Sequence, residues 1–233
     1  MSGVLVWDFD GTLATRPGGW TGVLCEVVTR EHPALGITPE HIRPHLQRGF
    51  PWHTPEVVRD PCSEDQWWED LQPLFSEALR AGAGLRASDA RRLAGHVRTR
   101  YLDPGAWRLF DDTLPVLERL HGRGWRHVVL SNHVPELASL VRTLGLDALL
   151  SGVYCSARIG VEKPNPKAFE AVFADHPDAR AGWMIGDSWR ADVQGARTVG
   201  MRAILVREAH PEAAVRCESL HDVVAIVEER NRC

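Results

Sequence analysis

The chain opens on an unbroken apolar run, Val4-Leu5-Val6-Trp7, that stops at Asp8-Phe9-Asp10-Gly11-Thr12. A short continuous run of this kind suits a strand buried on both faces, followed by a turn that Gly11 assists. After Arg16-Pro17-Gly18-Gly19 the apolar period becomes helical, with helices expected at about 20–32, 39–48, 64–80 and 88–101. Thr38-Pro39 marks the start of the second, and Ser63-Glu64-Asp65-Gln66 is a capping-box pattern for the third.

From about residue 104 the rhythm changes again, and helices alternate with short apolar strands. Strands are expected at about 126–130, 152–156, 182–185 and 202–206. Helices are expected at about 113–123, 135–144, from Asn165-Pro166 onward, at about 190–199 and at about 220–230. This alternation implies a parallel sheet covered on both faces, a Rossmann-like three-layer α/β/α core. The first strand has no parallel neighbour nearby in sequence. Residues 16–103 therefore read as a helical domain inserted after it, and residues 1–15 and 104–233 as the core.

Composition narrows the function classes. At 233 residues the chain can bury a sizeable core, and its formal net charge of -4, with no basic cluster, argues against a nucleic-acid partner. No apolar stretch of about 18 residues suggests a membrane span, and no basic, apolar and small-residue succession suggests a leader. Cys25, Cys62, Cys155, Cys217 and Cys233 are odd in number and scattered, which reads as reduced thiols and a cytoplasmic location. Of the 27 basic residues only Lys163 and Lys167 are lysine. Coding bias explains the excess of arginine, though not where the two lysines sit.

Ligand sites of open α/β sheets lie beyond the carboxyl ends of the strands, so the polar residues that follow each strand are the candidates. They are Asp8 and Asp10, then Ser131-Asn132, then Lys163-Pro164, then Gly186-Asp187-Ser188 with Asp192 beyond. Two carboxylates at 8 and 10 in extended chain point the same way, which suits a nucleophile and an acid/base, or joint metal binding. Four converging carboxylates require a cation, and an all-oxygen site favours Mg²⁺. Lys163, the Ser131 hydroxyl and the amides after Asp8 and Asp187 supply donors for a phosphate. Lys167, just inside a helix, reads as an exposed side chain.

In order and content these segments resemble the four motifs of the haloacid dehalogenase superfamily, and the resemblance spans the chain. Asp8-Phe9-Asp10-Gly11-Thr12 is similar to motif I, Ser131-Asn132 to motif II, Lys163-Pro164 to motif III, and Gly186-Asp187-Ser188-Trp189-Arg190-Ala191-Asp192 to motif IV. The resemblance implies a catalytic set of Asp8, Asp10 and Lys163, in which Asp8 forms an aspartyl-phosphate. Asp10 would protonate the leaving oxygen and then activate water. It implies Mg²⁺ on the carboxylates of Asp8 and Asp187 and the carbonyl of Asp10. Ser131, Asn132 and Lys163 would bind substrate, and Asp192 would support the metal shell or orient Lys163. The insertion resembles the helical cap of the first cap class.

True dehalogenases of this resemblance attack carbon and do not keep an aspartate two residues after the nucleophile. Expelling halide needs no proton donor, whereas expelling an alkoxide does, so Asp10 points to phosphate esters. The expectation is a Mg²⁺-dependent phosphohydrolase of a small phosphorylated metabolite, monomeric or homodimeric. A phosphomutase, a 2-haloacid dehalogenase and a non-catalytic binding protein are the alternatives. His133, beside the Ser-Asn pair, and Trp52, in the loop Phe50-Pro51-Trp52-His53, are further candidate substrate contacts. His41 and His45 have zinc-like spacing but no third ligand, and read as surface residues.

Overall fold

The computed structural model describes residues 3–229. Its main sheet holds six strands in the order β5-β4-β1-β6-β7-β8. Here β1 is Val4–Trp7, β2 Ala14–Thr15, β3 Arg108–Leu109, β4 Arg126–Ser131, β5 Leu150–Cys155, β6 Trp183–Gly186, β7 Arg202–Val206 and β8 Arg216–Cys217. Every pairing in this sheet is parallel. The apolar run that opens the chain is the central strand: β1 lies between β4 and β6 and all four of its residues are buried. That burial on both faces is why β1 reads as a continuous rather than an alternating pattern. Val4 and Val6 pack with Val128, Leu130, Phe169, Val172 and Met184 in the core.

The chain divides into two compact units. One comprises Met1–Thr15, Pro55–Pro61 and Arg108–Cys233, and the other Arg16–Thr54 and Cys62–Trp107. Within the expected insertion 16–103, the segment Pro55–Pro61 falls in the first unit. Pro55–Pro61 belongs with the sheet because Arg59 N donates to Gly160 O at 2.7 Å and Asn165 Nδ2 donates to Pro55 O at 2.9 Å.

The second unit is helical, and an aromatic cluster fills it. Trp20 stacks on Tyr101 with ring centres 4.0 Å apart and on Phe75 at 5.4 Å. Its longest helix is Glu64–Ala83, where Ser63 Oγ accepts from Gln66 N while the Gln66 amide donates to Asp70, so only half of the capping box forms. Two expected helices are shorter than the pattern implied. The one at 39–48 is α-helical only over Pro39–Ile42 before a tighter turn at Arg43–Leu46, as Pro44 denies a backbone donor. The one at 88–101 breaks into Ala87–Ala94 and Val97–Tyr101 around Gly95-His96. His41 Nδ1 accepts from Thr38 N in a cap, a structural use for that histidine. The small sheet β2–β3, the short strand β8 and the helix Ser156–Ile159 fall in segments too short to show a period. The last helix, Leu220–Glu229, meets the expected 220–230 up to Arg230, which lies outside the described residues.

Candidate active site

The carboxyl ends of β1, β4 and β6 bring the candidate residues together. Asp8 follows β1 directly, and its amide still donates to Ile185 O of β6 at 2.8 Å, so the carboxylate leaves a backbone fixed by the sheet. Ser131 is the last residue of β4, and its hydroxyl donates to Asp8 Oδ1 at 2.9 Å. Lys163 Nζ donates to the same oxygen at 2.8 Å and to Asp192 Oδ1 at 2.5 Å. The other Asp192 oxygen accepts from Ser188 N at 2.9 Å. Asp8, Lys163 and Asp192 are 7%, 2% and 1% exposed, so these charges face one another with little water between them.

Two glycines allow the approach. A β-carbon at Gly11, whose φ is +88°, would stand 2.2 Å from Asp187 Oδ2, and one at Gly186 would stand 2.1 Å from Asp192 Oδ2. Gly11 and Gly186 therefore let two motif carboxylates lie against the backbone. Asp187 is followed by Ser188, whose hydroxyl accepts from Ala191 N and caps a π-helical turn at Trp189–Gln194. Helix capping here is the work of Ser188, and Asp187 is left to the cluster.

Charge does not balance in this cluster. Carboxylate oxygens of Asp8, Asp187 and Asp192 all lie within 4.8 Å of one another, and one ammonium, Lys163, faces them. Burial alone would lower the Lys163 pKa, but the carboxylates of Asp192 and Asp8 hold it above its ordinary value. Burial, then Asp8 and Asp192, push Asp187 up to about 8. Burial likewise carries Asp192 up to about 6, despite its bond to Lys163, because Asp8 repels it. One lysine cannot neutralise three carboxylates. A buried, all-oxygen set with surplus negative charge fits a hard divalent cation such as Mg²⁺.

With their pKa values raised, Asp187 and Asp192 bind more protons in the folded, metal-free protein than in the unfolded chain between about pH 4 and 8, so the contribution of this pair to stability falls as pH rises through that window. A divalent cation held by these carboxylates would compete with those protons, so an increment in Tm on adding Mg²⁺ is expected to be larger at pH 8 than at pH 5.5. Calorimetric scans with and without Mg²⁺ at both pH values check this; equal increments would mean that the cluster is not the binding site.

Asn132 serves the backbone of the lysine. Its Nδ2 donates to Lys163 O at 2.9 Å and its Oδ1 accepts from Lys163 N at 2.7 Å, a reciprocal pair that locks the Lys163 main chain to the end of β4. His133 is 2% exposed. Its amide donates to Ser156 Oγ at 3.1 Å and its ring meets Phe9 edge-on at 5.4 Å. Burial lowers its pKa to about 4, leaving the ring neutral near pH 7. Trp52 lies in the helical unit, stacked on Phe50 at 4.5 Å. Lys167 is exposed, and its amide is the one capped by Asn165 Oδ1. Ser188 lies within the segment read as motif IV, whereas Ser156 had no sequence signal beyond its residue type, since it acts on the amide of a residue 23 positions away.

Residues 3–200 match the family model for the haloacid dehalogenase-like hydrolases. The haloacid dehalogenase-like hydrolase domain-containing protein 3 of Bos taurus is 33% identical over 219 residues, covering 89% of this chain and 83% of the relative. A phosphoserine phosphatase of Thermus thermophilus is 34% identical over 152 residues, 60% of this chain and 57% of that one. Among solved structures, the magnesium-bound HAD-hydrolase YfnB of Bacillus subtilis superposes with a TM-score of 0.74 at 19% identity, over 97% of this chain and 99% of that one. A 2-haloacid dehalogenase of Pseudomonas syringae superposes with a TM-score of 0.65 at 22% identity, over 99% and 100%. At these identities the structural likeness establishes the fold, which phosphatases and dehalogenases share.

Proposed function

Because the chain belongs to the haloacid dehalogenase-like hydrolases, we propose that it is a Mg²⁺-dependent phosphohydrolase that cleaves a small phosphorylated metabolite by double displacement. The observation that carries the reading is the second carboxyl of the pair, Asp10, two residues beyond the buried Asp8. A carbon–halogen bond breaks without a proton donor, whereas a phosphate ester of a basic alcohol does not. Phosphatase relatives, such as that of Thermus thermophilus, agree with this side of the choice.

In this reading Asp8 attacks phosphorus and becomes the aspartyl-phosphate, while Asp10 protonates the departing alkoxide oxygen. Asp10, now a carboxylate, takes a proton from the water that attacks the phosphorus of the intermediate, and Asp8 is regenerated. Ser131 and Lys163 hold the phosphoryl oxygens, and Asp192 keeps the Lys163 ammonium charged and aimed. The carboxylates of Asp8 and Asp187 and the carbonyl of Asp10 would hold Mg²⁺, which supplies Lewis-acid charge for the phosphoryl oxygens. The free thiols Cys25, Cys62, Cys155 and Cys217 suit a reducing compartment, and no helix among the described residues is long and apolar enough to cross a membrane. Assay of a panel of phosphorylated metabolites with Mg²⁺ tests the reading. Turnover is expected in the wild type and none in Asp8→Asn; turnover retained in Asp8→Asn would refute it.

A further inference from the structure

The turn that carries Asp10 is closed on itself and anchored to its surroundings at two carbonyls. Internally, Phe9 O accepts from the amides of Thr12, Leu13 and Ala14 at 3.3, 2.9 and 3.0 Å, and Gly11 N donates to Ala14 O at 2.8 Å. Externally, Leu13 O accepts from Phe110 N at 3.2 Å and from the Thr113 hydroxyl at 2.6 Å. Thr12 O accepts from Arg207 Nε at 3.1 Å. Arg207 stands at the carboxyl end of β7, the same end of the sheet that supplies the catalytic candidates.

The guanidinium makes two further contacts from that position, and the first leads on to a third element. Its Nη2 donates to Asp112 Oδ1 at 2.5 Å, and its central carbon sits 3.8 Å from the centre of the Phe110 ring. Asp112 Oδ2 in turn accepts from Leu220 N at 2.8 Å, at the start of the last helix. Burial opposes the charge on Asp112, yet Arg207 and the Leu220 amide hold its carboxyl below the ordinary range. The backbone carries a cost for this arrangement. Arg207 has φ 63°, and among the described residues it is the one residue other than glycine with positive φ. Glycine adopts that conformation without strain, so a side chain retained there needs a use.

We propose that Arg207 is a positioning residue for phosphoryl transfer, which by gripping Thr12 O fixes the turn and so aims the Asp10 carboxyl at the leaving oxygen. The proposal rests on the acid/base reading of Asp10. A lysine at 207 offers a single point charge, which cannot donate to Thr12 and Asp112 in a planar fork while stacking on Phe110.

The test measures kcat/KM with Mg²⁺ over a series of aryl phosphates of graded leaving-group basicity, in wild type, Arg207→Gly, Arg207→Lys and Asp10→Asn. Arg207→Gly relaxes the strained backbone while deleting the grip, and the slope against leaving-group basicity does not depend on how much of the sample is active. Relative to the best leaving group, the poorest is expected to lose about 10-fold or more in Arg207→Gly, because a misplaced acid matters most where the leaving oxygen is basic. Arg207→Lys is expected to fall between the two. A uniform loss across the series, or none, overturns the proposal. Absence of wild-type turnover, or an Asp10→Asn slope equal to that of wild type, instead removes the reading of Asp10 beneath it.

Discussion

Asp10→Asn is expected to lower turnover of a phosphate ester with a poor leaving group by about 10²- to 10⁴-fold, the usual contribution of a positioned general acid or base. Binding of Mg²⁺ to the same variant is expected to stay within a few-fold of wild type. The two halves come from the placement of one carboxyl. The acidic cluster found among the described residues consists of Asp8, Asp187 and Asp192, and the side chain of Asp10 is not one of its members. Asp10 lies in the turn beyond β1, where its backbone bridges to Ala14, and it is half-buried where Asp8 is buried. Asparagine keeps the shape and the main-chain carbonyl and deletes the transferable proton. Steady-state kinetics and titration calorimetry separate these outcomes. Near-normal turnover would remove Asp10 from proton transfer, and lost metal binding would assign its side chain to the ion.

Lys163→Met is expected to destabilise the metal-free protein and abolish turnover. Methionine fills nearly the same volume, so the effect reports charge. Without the ammonium, Asp8 and Asp192 lose partners at 2.8 and 2.5 Å and face each other and Asp187 in a buried site. Breaking a buried ion pair from one side typically costs about 3–5 kcal/mol, equivalent in a chain of this size to a Tm lower by about 6–20 °C. Adding Asp192→Asn is expected to restore much of that stability, because it deletes an uncompensated charge, without restoring turnover. Thermal scans of the two variants in a chelating buffer provide the check. A Lys163→Met protein as stable as wild type would mean that the ammonium is not what holds these carboxylates together.

The sequence carries the strands well because a strand buried on both faces is an apolar run with polar ends. Val4–Trp7 and Trp183–Gly186 stand out for this reason, and the residues just past them, Asp8 and Asp187, could be read as site candidates. Lys163 was legible from its rarity among arginines and its place between strands. Asp192 was expected beside Lys163 and lies there, but the other partners of these residues were not legible. Nothing local in Asn132 says that its amide will close on the backbone of residue 163, because that pairing needs β4 and the segment after β5 brought side by side. Arg207 was within reach of the rule that reads polar residues beyond strand ends, yet its φ and its bond to Thr12, 195 positions away, exist only in the fold. The helical unit was less legible, since Pro44 and Gly95 break periods that otherwise continue.

The central claim is that Asp8 carries the phosphoryl group during turnover. Mixing the protein with Mg²⁺ and a ³²P-labelled substrate, quenching in acid within milliseconds and mapping the labelled peptide tests it directly. The account predicts label on Asp8 that appears and decays at the rate of turnover and is absent from Asp8→Asn. Turnover that proceeds with no label on Asp8 at any time, or with label on another residue, would contradict it.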